Sequence, residues 1–249
     1  MLELDSFASS KLYEFEGTPE SIKIEKVDDF IILRDDLIPG GTKRRILNSI
    51  LSNIPHNEVV YSGCQYGQGH IALAYSALDL NKKVTLFFPK YENFNESFLF
   101  VRDTLNTQIV LIGDENTEQI EIDEFAKNYA RDNGIFHIPI GFGLKEFEDE
   151  IVNLAQSLPL LPDEVWALAG SGTLVRALGR AWPNARINAV SLGLPQCNPG
   201  KSNVYVAPEN LKEIAEFPPP YPSNSYYDAK LWRFVRPLAS KNALIWNVG

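Results

Sequence analysis

The sequence predicts an α/β fold with a largely parallel sheet and helices on both of its faces. Two observations carry that expectation: short apolar runs closed by turn residues, and helix-forming stretches of about 10–15 residues between them. A third is size. The 249 residues are 45% hydrophobic, enough to bury a substantial core, and at roughly 150 residues per domain they make one large or two small domains.

Residues 30–33 (Phe-Ile-Ile-Leu) read as a buried strand closed by Arg34-Asp35-Asp36. Residues 58–61 are a second strand, closed by Ser62-Gly63. Residues 71–78 hold helix formers without a breaker and lead into 83–89, a strand stopped by proline. The alternation continues with helix 98–105, strand 108–112, helix 122–132 and strand 136–138. After Gly141-Phe142-Gly143, residues 145–156 place Phe147, Ile151 and Leu154 on one helical face. Strand 165–169, helix 174–181 and strand 187–191 complete the pattern. The proline cluster at 217–222 reads as an extended connector.

Composition removes several function classes. With 23 Lys+Arg against 32 Asp+Glu, the net charge of −9 argues against a duplex nucleic-acid binder. No apolar run reaches the roughly 18 residues of a membrane span. The acidic N-terminus, MLELDSFASSKLYEFEG, does not read as a signal peptide. Cys64 and Cys197 are too few for a disulfide framework, and His56, His70 and His137 lack paired spacing, so no metal centre is expected. These features describe a soluble cytoplasmic protein.

Three segments carry candidate chemistry. Gly170-Ser171-Gly172-Thr173 lies between a strand and a helix, where curled backbone amides and the helix dipole favour a phosphate. The motif is neither the P-loop nor the dinucleotide fingerprint. A tight turn capped by Thr173 is the structural alternative, and the pattern alone leaves both open. Lys43 follows Pro39-Gly40-Gly41-Thr42, with Thr42 a candidate N-cap. A lysine in a first helical turn faces the positive dipole end, which helps keep an amine neutral, as a Schiff-base lysine needs. Charge pattern alone favours a solvated Lys43-Arg44-Arg45 face. The third segment, residues 62–70, is a long Gly-rich turn after a strand, placing backbone donors where open α/β sheets bind ligands. Within it His70 reads as a capping or surface residue, and Cys64 as a small buried thiol.

These segments, in this order, resemble the fold type II pyridoxal-phosphate enzymes, the tryptophan-synthase-β-like superfamily. The nearest subgroup is that of 1-aminocyclopropane-1-carboxylate deaminase and D-cysteine desulfhydrase. Arg34-Asp35-Asp36-Leu37 followed by Gly40-Gly41-Thr42-Lys43-Arg44-Arg45 is similar to that group's Arg-Asp-Asp-Leu … Gly-Gly-Asn-Lys-x-Arg-Lys block. Gly170 to Thr173 resembles its phosphate cup. Residues 225–230 (Ser-Tyr-Tyr-Asp-Ala-Lys) are similar to its Pro-Val-Tyr-x-Gly-Lys segment, and 246–249 (Trp-Asn-Val-Gly) to its terminal His-Thr-Gly-Gly.

The resemblance implies a compact two-lobed variant of that fold. Residues 48–140 would form a small α/β lobe, and 1–47 with 141–249 a large one carrying the phosphate turn. It implies pyridoxal 5′-phosphate as cofactor, held by Lys43, by Gly170, Ser171, Gly172 and Thr173, and by Asn247 at the ring nitrogen. The family's Asn on the cofactor's 3′-oxygen is absent from 62–70, leaving Gln68 as its substitute, with Gly67 and Gln65 as other alignments. Ser62, Gly63, Gln65 and Gly67 would hold the substrate carboxylate. Tyr66 stands where the subgroup has a serine, and Tyr227 and Tyr66 are the candidate acids beside the general base Lys43. A neutral Asn247 would leave the ring nitrogen unprotonated, which favours β-elimination or β-replacement over transamination, and the subgroup implies β-elimination or deamination of a small amino acid. A β-replacement synthase, a non-catalytic amino-acid binder and a nucleotide- or sugar-phosphate-binding protein are the alternatives. Trp182, Trp232 and Tyr226 belong to a core or to a homodimer contact.

Overall fold

The computed structural model describes residues 17–105 and 107–249; the N-terminal stretch 1–16, read above as no signal peptide, lies outside the described residues. The strands gather into two sheets. The smaller contains β3 (Glu58–Ser62), β4 (Lys83–Pro89), β5 (Gln108–Ile112) and β6 (Phe136–Ile138), in the order β5-β4-β3-β6, with every pairing parallel. The larger has the order β1-β2-β10-β7-β8-β9. Its strands are β1 (Ile24–Val27), β2 (Phe30–Arg34), β7 (Glu164–Ala169), β8 (Arg186–Ser191), β9 (Asn203–Val206) and β10 (Leu244–Asn247). Among the described residues only the hairpin pair β1–β2 is antiparallel.

Parallel strands covered on both faces need apolar residues throughout, and all six residues of β7 are buried. The strand period of two then divides them. Val165, Ala167 and Ala169 face the main core with Leu33, Leu244 and Trp246, whereas Trp166 and Leu168 face a second cluster with Ile32, Ile245 and Trp232. The main core is covered by α1 (Gly41–Ser52), α2 (Gly69–Asp79), α5 (Lys145–Ser157) and α6 (Thr173–Ala181). It also includes Val59, Tyr61, Leu86 and Phe88 of the smaller sheet, so one apolar interior joins the two sheets. Helix α7 (Trp232–Leu238) packs on the opposite face of the larger sheet, and α4 (Gln119–Asn133) on the outer face of the smaller. Helix α3 (Glu96–Thr104) lies beside α2, with Asn95 capping the Phe98 amide.

The differences from the sequence reading have simple causes. Strands β1 and β9 are four-residue edge strands whose patterns are mostly half-buried or exposed, so neither gives a clear apolar run. Helix α7 contains Pro237, a residue that reads as a breaker but here lies near the helix end. Thr42 is not the N-cap of α1: Gly40 is, in the left-handed conformation at φ 81°. His70 is neither capping nor on the surface, since only 1% of it is exposed. It lies edge-to-face on Phe88.

Burial pushes the His70 imidazole down to about 3, against the backbone of Ser97. The unfolded chain therefore takes up a proton near pH 6.5 that the native chain refuses. Stability from this residue is complete above that pH and drains away as pH falls toward about 3. Urea unfolding should show His70→Asn losing less stability than the parent between neutral pH and about pH 4, by about 3 kcal/mol.

Candidate active site

Strands β2, β10 and β7 are neighbours in the larger sheet, so their carboxyl ends bring three distant segments together. They are residues 34–43, 247–249 and 170–173. Open α/β sheets bind ligands at such an edge.

Lys43 is the third residue of α1, and a polar brace fixes the start of that helix. Thr42 Oγ1 donates to buried Asp35 Oδ2 at 2.6 Å and accepts the Trp246 indole N–H at 2.8 Å. Arg45 donates to Asp35 Oδ1 at 2.7 Å, and Arg34 grips Asp36 through two bonds of 2.7 Å. Arg44 pairs with Asp79 at 2.9 Å and lies over the Tyr75 ring. The solvated Lys-Arg-Arg face favoured by charge pattern is therefore not formed, because carboxylates engage both arginines and the Tyr75 ring also covers Arg44. Lys43 itself is half-buried, with Nζ 5.7 Å from the centroid of the Tyr227 ring. Burial lowers its pKa by penalising the ammonium, opposed first by the charge of Asp228 and then by Cys64.

Tyr227 links this lysine to the glycine turn. A Cβ at Gly170 would lie 2.4 Å from the Tyr227 hydroxyl. Burial holds that phenol well above its ordinary pKa against a bond with the Gly170 backbone, so it remains protonated. The turn enters α6 through Gly172 at φ 88°, an N-cap with no side chain of its own, and the Thr173 amide makes a long 3.4 Å contact to Ser171 Oγ. Its first amides thus lie ahead of the helix's own hydrogen bonds, which begin at Arg176 N–H to Gly172 O. Capping by Thr173 does not occur. The hydroxyls of Ser171 and Thr173, expected as phosphate donors, both lie 3.1 Å from the Gly141 carbonyl, which accepts from them. A part-buried carbonyl takes up both hydroxyl protons, so only backbone amides remain at the turn for an anion.

The loop after β3 is also committed internally. The Ser62 hydroxyl donates to Asp123 at 2.5 Å, which His137 also contacts at 3.2 Å, and the Gly63 amide bonds the Phe87 carbonyl. Gln65 donates to the Asn93 carbonyl and accepts the Asn95 amide at 2.6 Å, pinning the start of α3. Ser62 and Gln65, expected at the substrate carboxylate, therefore organise the loop with their side chains. The amides of Tyr66 and Gly67 face the Cys64 sulfur, whose pKa is raised by burial and opposed by these amides and Lys43. The Tyr66 ring packs on Tyr91 and lies with its centroid 5.9 Å from that of Tyr226. With Gln68, Asn95, Asn224 and Gln65, Tyr66 and Tyr226 line an outer cavity of about 340 Å3.

At the end of β10, Asn247 is 2% exposed. It accepts from Ser223 at 2.8 Å and donates one amide hydrogen to the Pro222 carbonyl at 2.9 Å, leaving the second hydrogen. The chemistry-bearing neighbours not singled out from sequence are Asp228 and, as a companion of Lys43, Cys64. Asp228 lay on the unspecified position of the segment 225–230, where a motif carries no signal.

A carbonyl reagent with a phosphate tail fits this arrangement. It needs a depressed amine at one end and a glycine-capped helix N-terminus at the other, and a single tyrosine side chain reaches both. Among the described residues no cluster of His, Cys, Asp or Glu could hold a metal ion, and no helix is long and apolar enough to cross a membrane.

No family model and no curated protein matches the sequence. Solved structures match over nearly its whole length. An ACC deaminase homologue has a TM-score of 0.74 at 14% identity, over 88% of this chain and 84% of that one. Maize serine racemase has 0.65 at 15%, over 93% and 88%. Threonine deaminase isoform 2 from Solanum lycopersicum has 0.62 at 15%, over 88% and 74%. The chain therefore has the α/β fold of the fold type II pyridoxal-phosphate enzymes.

Proposed function

We propose that the protein binds pyridoxal 5′-phosphate through Lys43 and acts on a small amino acid by β-elimination or deamination. The observation that carries this reading is the placement of a half-buried lysine, its pKa lowered by burial, one tyrosine ring away from the glycine-capped N-terminus of α6. Bound there, the cofactor supplies the sink for electrons released at the substrate's Cα.

The protein's own groups provide the rest. The Lys43 amine is the nucleophile toward the carbonyl carbon and, once released, the base for the Cα proton. Amides from Gly170 to α6 hold the phosphate against the helix dipole. Tyr227 keeps its proton in this dry setting and is the donor to a leaving group. The remaining Asn247 amide hydrogen suits an unprotonated ring nitrogen. Gln68 and Tyr66, with the Gly63 and Gly67 backbone, form the substrate side of the cleft. The reading divides the chain into a small lobe of residues 48–140 and a large lobe of the remainder, with this cleft between the two.

Titration with pyridoxal phosphate should produce a yellow protein. A panel of small amino acids should then release keto acid and ammonia. Product retaining an added thiol or amine nucleophile would instead identify β-replacement, and a colour change without product a binder. A protein that stays colourless removes the reading.

Gly170→Ala offers a structural check, because its Cβ would meet the Tyr227 hydroxyl at 2.4 Å. A side chain can yield, so the fold should survive. Displacing the phenol from between Lys43 and the turn should weaken cofactor binding about tenfold or more, seen by absorbance titration.

A further inference from the structure

The outer cavity of about 340 Å3 has two walls. One includes Gln65, Tyr66 and Gln68 of the loop after β3, with Asn95, Glu96 and Ser97 at the start of α3. The other is Asn224 and Tyr226, in the segment that leads to Tyr227. The Tyr227 amide donates to the Asn224 carbonyl at 3.0 Å, and its ring neighbours Lys43. Many of the polar groups in these walls are spent on one another. The Asn95 side chain donates to the Gln65 carbonyl at 2.7 Å and accepts the Phe98 amide at 3.0 Å. The Asn95 backbone amide donates to Gln65 Oε1 at 2.6 Å, and Ser97 Oγ lies 3.1 Å from the Gln65 carbonyl. Asn224 Oδ1 accepts the Tyr226 amide at 2.9 Å. What remains for an occupant is the Glu96 carboxylate, the Gln68 and Asn224 amide groups, and the two tyrosines, whose rings meet at a tilt of 52°.

We propose that this cavity receives a positively charged side-chain terminus, so that the substrate is an amino acid ending in an ammonium or guanidinium group. This rests on Lys43 and its cofactor as the reacting centre and adds the class of side chain taken beside it. Glu96 carries the one charge among the lining residues, with no Lys, Arg or His to oppose it. A cation there meets a carboxylate and the electron-rich faces of two tyrosines, the surroundings that attract ammonium and guanidinium groups. A carboxylate or phosphate meets Glu96 without a counter-charge. The start of a helix does favour anions, but Asn95 caps α3 and Glu96 already supplies the negative charge of its first turn. The volume falls at the low end of small-ligand cavities, about 300–1,000 Å3, which suits one extended side chain.

The test compares three racemic S-substituted cysteines of similar length, bearing an aminoethyl, a propyl or a carboxymethyl group. Calorimetry measures their affinity for the chain with and without pyridoxal phosphate, and keto-acid release gives kcat/KM. The aminoethyl compound should lead the propyl compound by about tenfold, with the carboxymethyl compound last. Glu96→Gln and Tyr226→Leu should each lower the aminoethyl-to-propyl ratio about threefold. Both positions are exposed, so the fold should survive. Tyr226→Phe, which keeps an aromatic face, should hold the ratio. Glu146→Gln should hold it too, since it removes an equal charge from the first turn of α5, outside the cavity.

Three compounds that rank alike, a lead for the carboxymethyl compound, or no binding of any of them overturns the proposal. So does a ratio left unmoved by either Glu96→Gln or Tyr226→Leu. The two ideas fail separately. A preference for the cation in a chain that stays colourless with pyridoxal phosphate removes only the cofactor. Keto acid released from all three compounds at equal rates removes only the assignment of the cavity.

Discussion

Alanine at position 41 is expected to abolish the native fold. The added Cβ would lie 1.6 Å from the Val248 carbonyl oxygen, and Gly41 has φ +59°. Both parties are backbone, one opening α1 and the other following β10, so no side-chain rotation relieves the contact. Moving either would disturb the Thr42–Trp246 bond and the seat of Lys43. A clash of this kind belongs with the rare substitutions costing about 4–5 kcal/mol or more, a large part of the total stability of a domain. Gly134→Ala is the matched comparison. That residue also has positive φ, at +64°, but nothing lies within 4 Å of its Cβ. It should cost only about 1 kcal/mol. Thermal unfolding by circular dichroism should therefore show a broad or absent transition for Gly41→Ala and a modest shift for Gly134→Ala.

Lys43→Ala should have the largest effect on the site with little harm to the fold. Without Nζ there is no nucleophile for an aldehyde, so colour should be lost and affinity for pyridoxal phosphate should fall about 100-fold or more. Stability should move the other way. Burial places the native pKa of Lys43 below its unfolded value. Between the native and the unfolded pKa the unfolded chain thus binds more protons, and this residue's contribution worsens as pH falls from the ordinary lysine range through the native pKa. Lys43→Met, which keeps the apolar stem, should raise the melting temperature at neutral pH and gain less at high pH.

How much of this was legible in the sequence depends on locality. Strands β4, β5 and β6 could be read with their bounds because each is a short run bounded by turn residues or polar breaks. The edge strands β1 and β9 could not, since half-exposed residues give no such signal. Lys43 was visible through Gly40-Gly41 and its place in the first turn. What holds it was not: Trp246 meets Thr42 across 204 positions of sequence, and no local pattern encodes that bond. The expected donors Ser171, Thr173 and Ser62 show the converse. Hydroxyl residues at a turn suggest a ligand, but a nearby carbonyl or buried carboxylate claims them first, here Gly141 and Asp123. Asp228 escaped notice because it stands on the unspecified position of the 225–230 segment, and its burial shows only in the fold.

The most direct measurement is peptide mapping of the protein after pyridoxal phosphate and borohydride. Reduction fixes any bond between the cofactor's carbon and an amine. One phosphopyridoxyl group on the peptide that contains Lys43, with none on exposed lysines such as Lys145, is the predicted result. Modification spread over surface lysines, or a Lys43 peptide of unchanged mass, would contradict it.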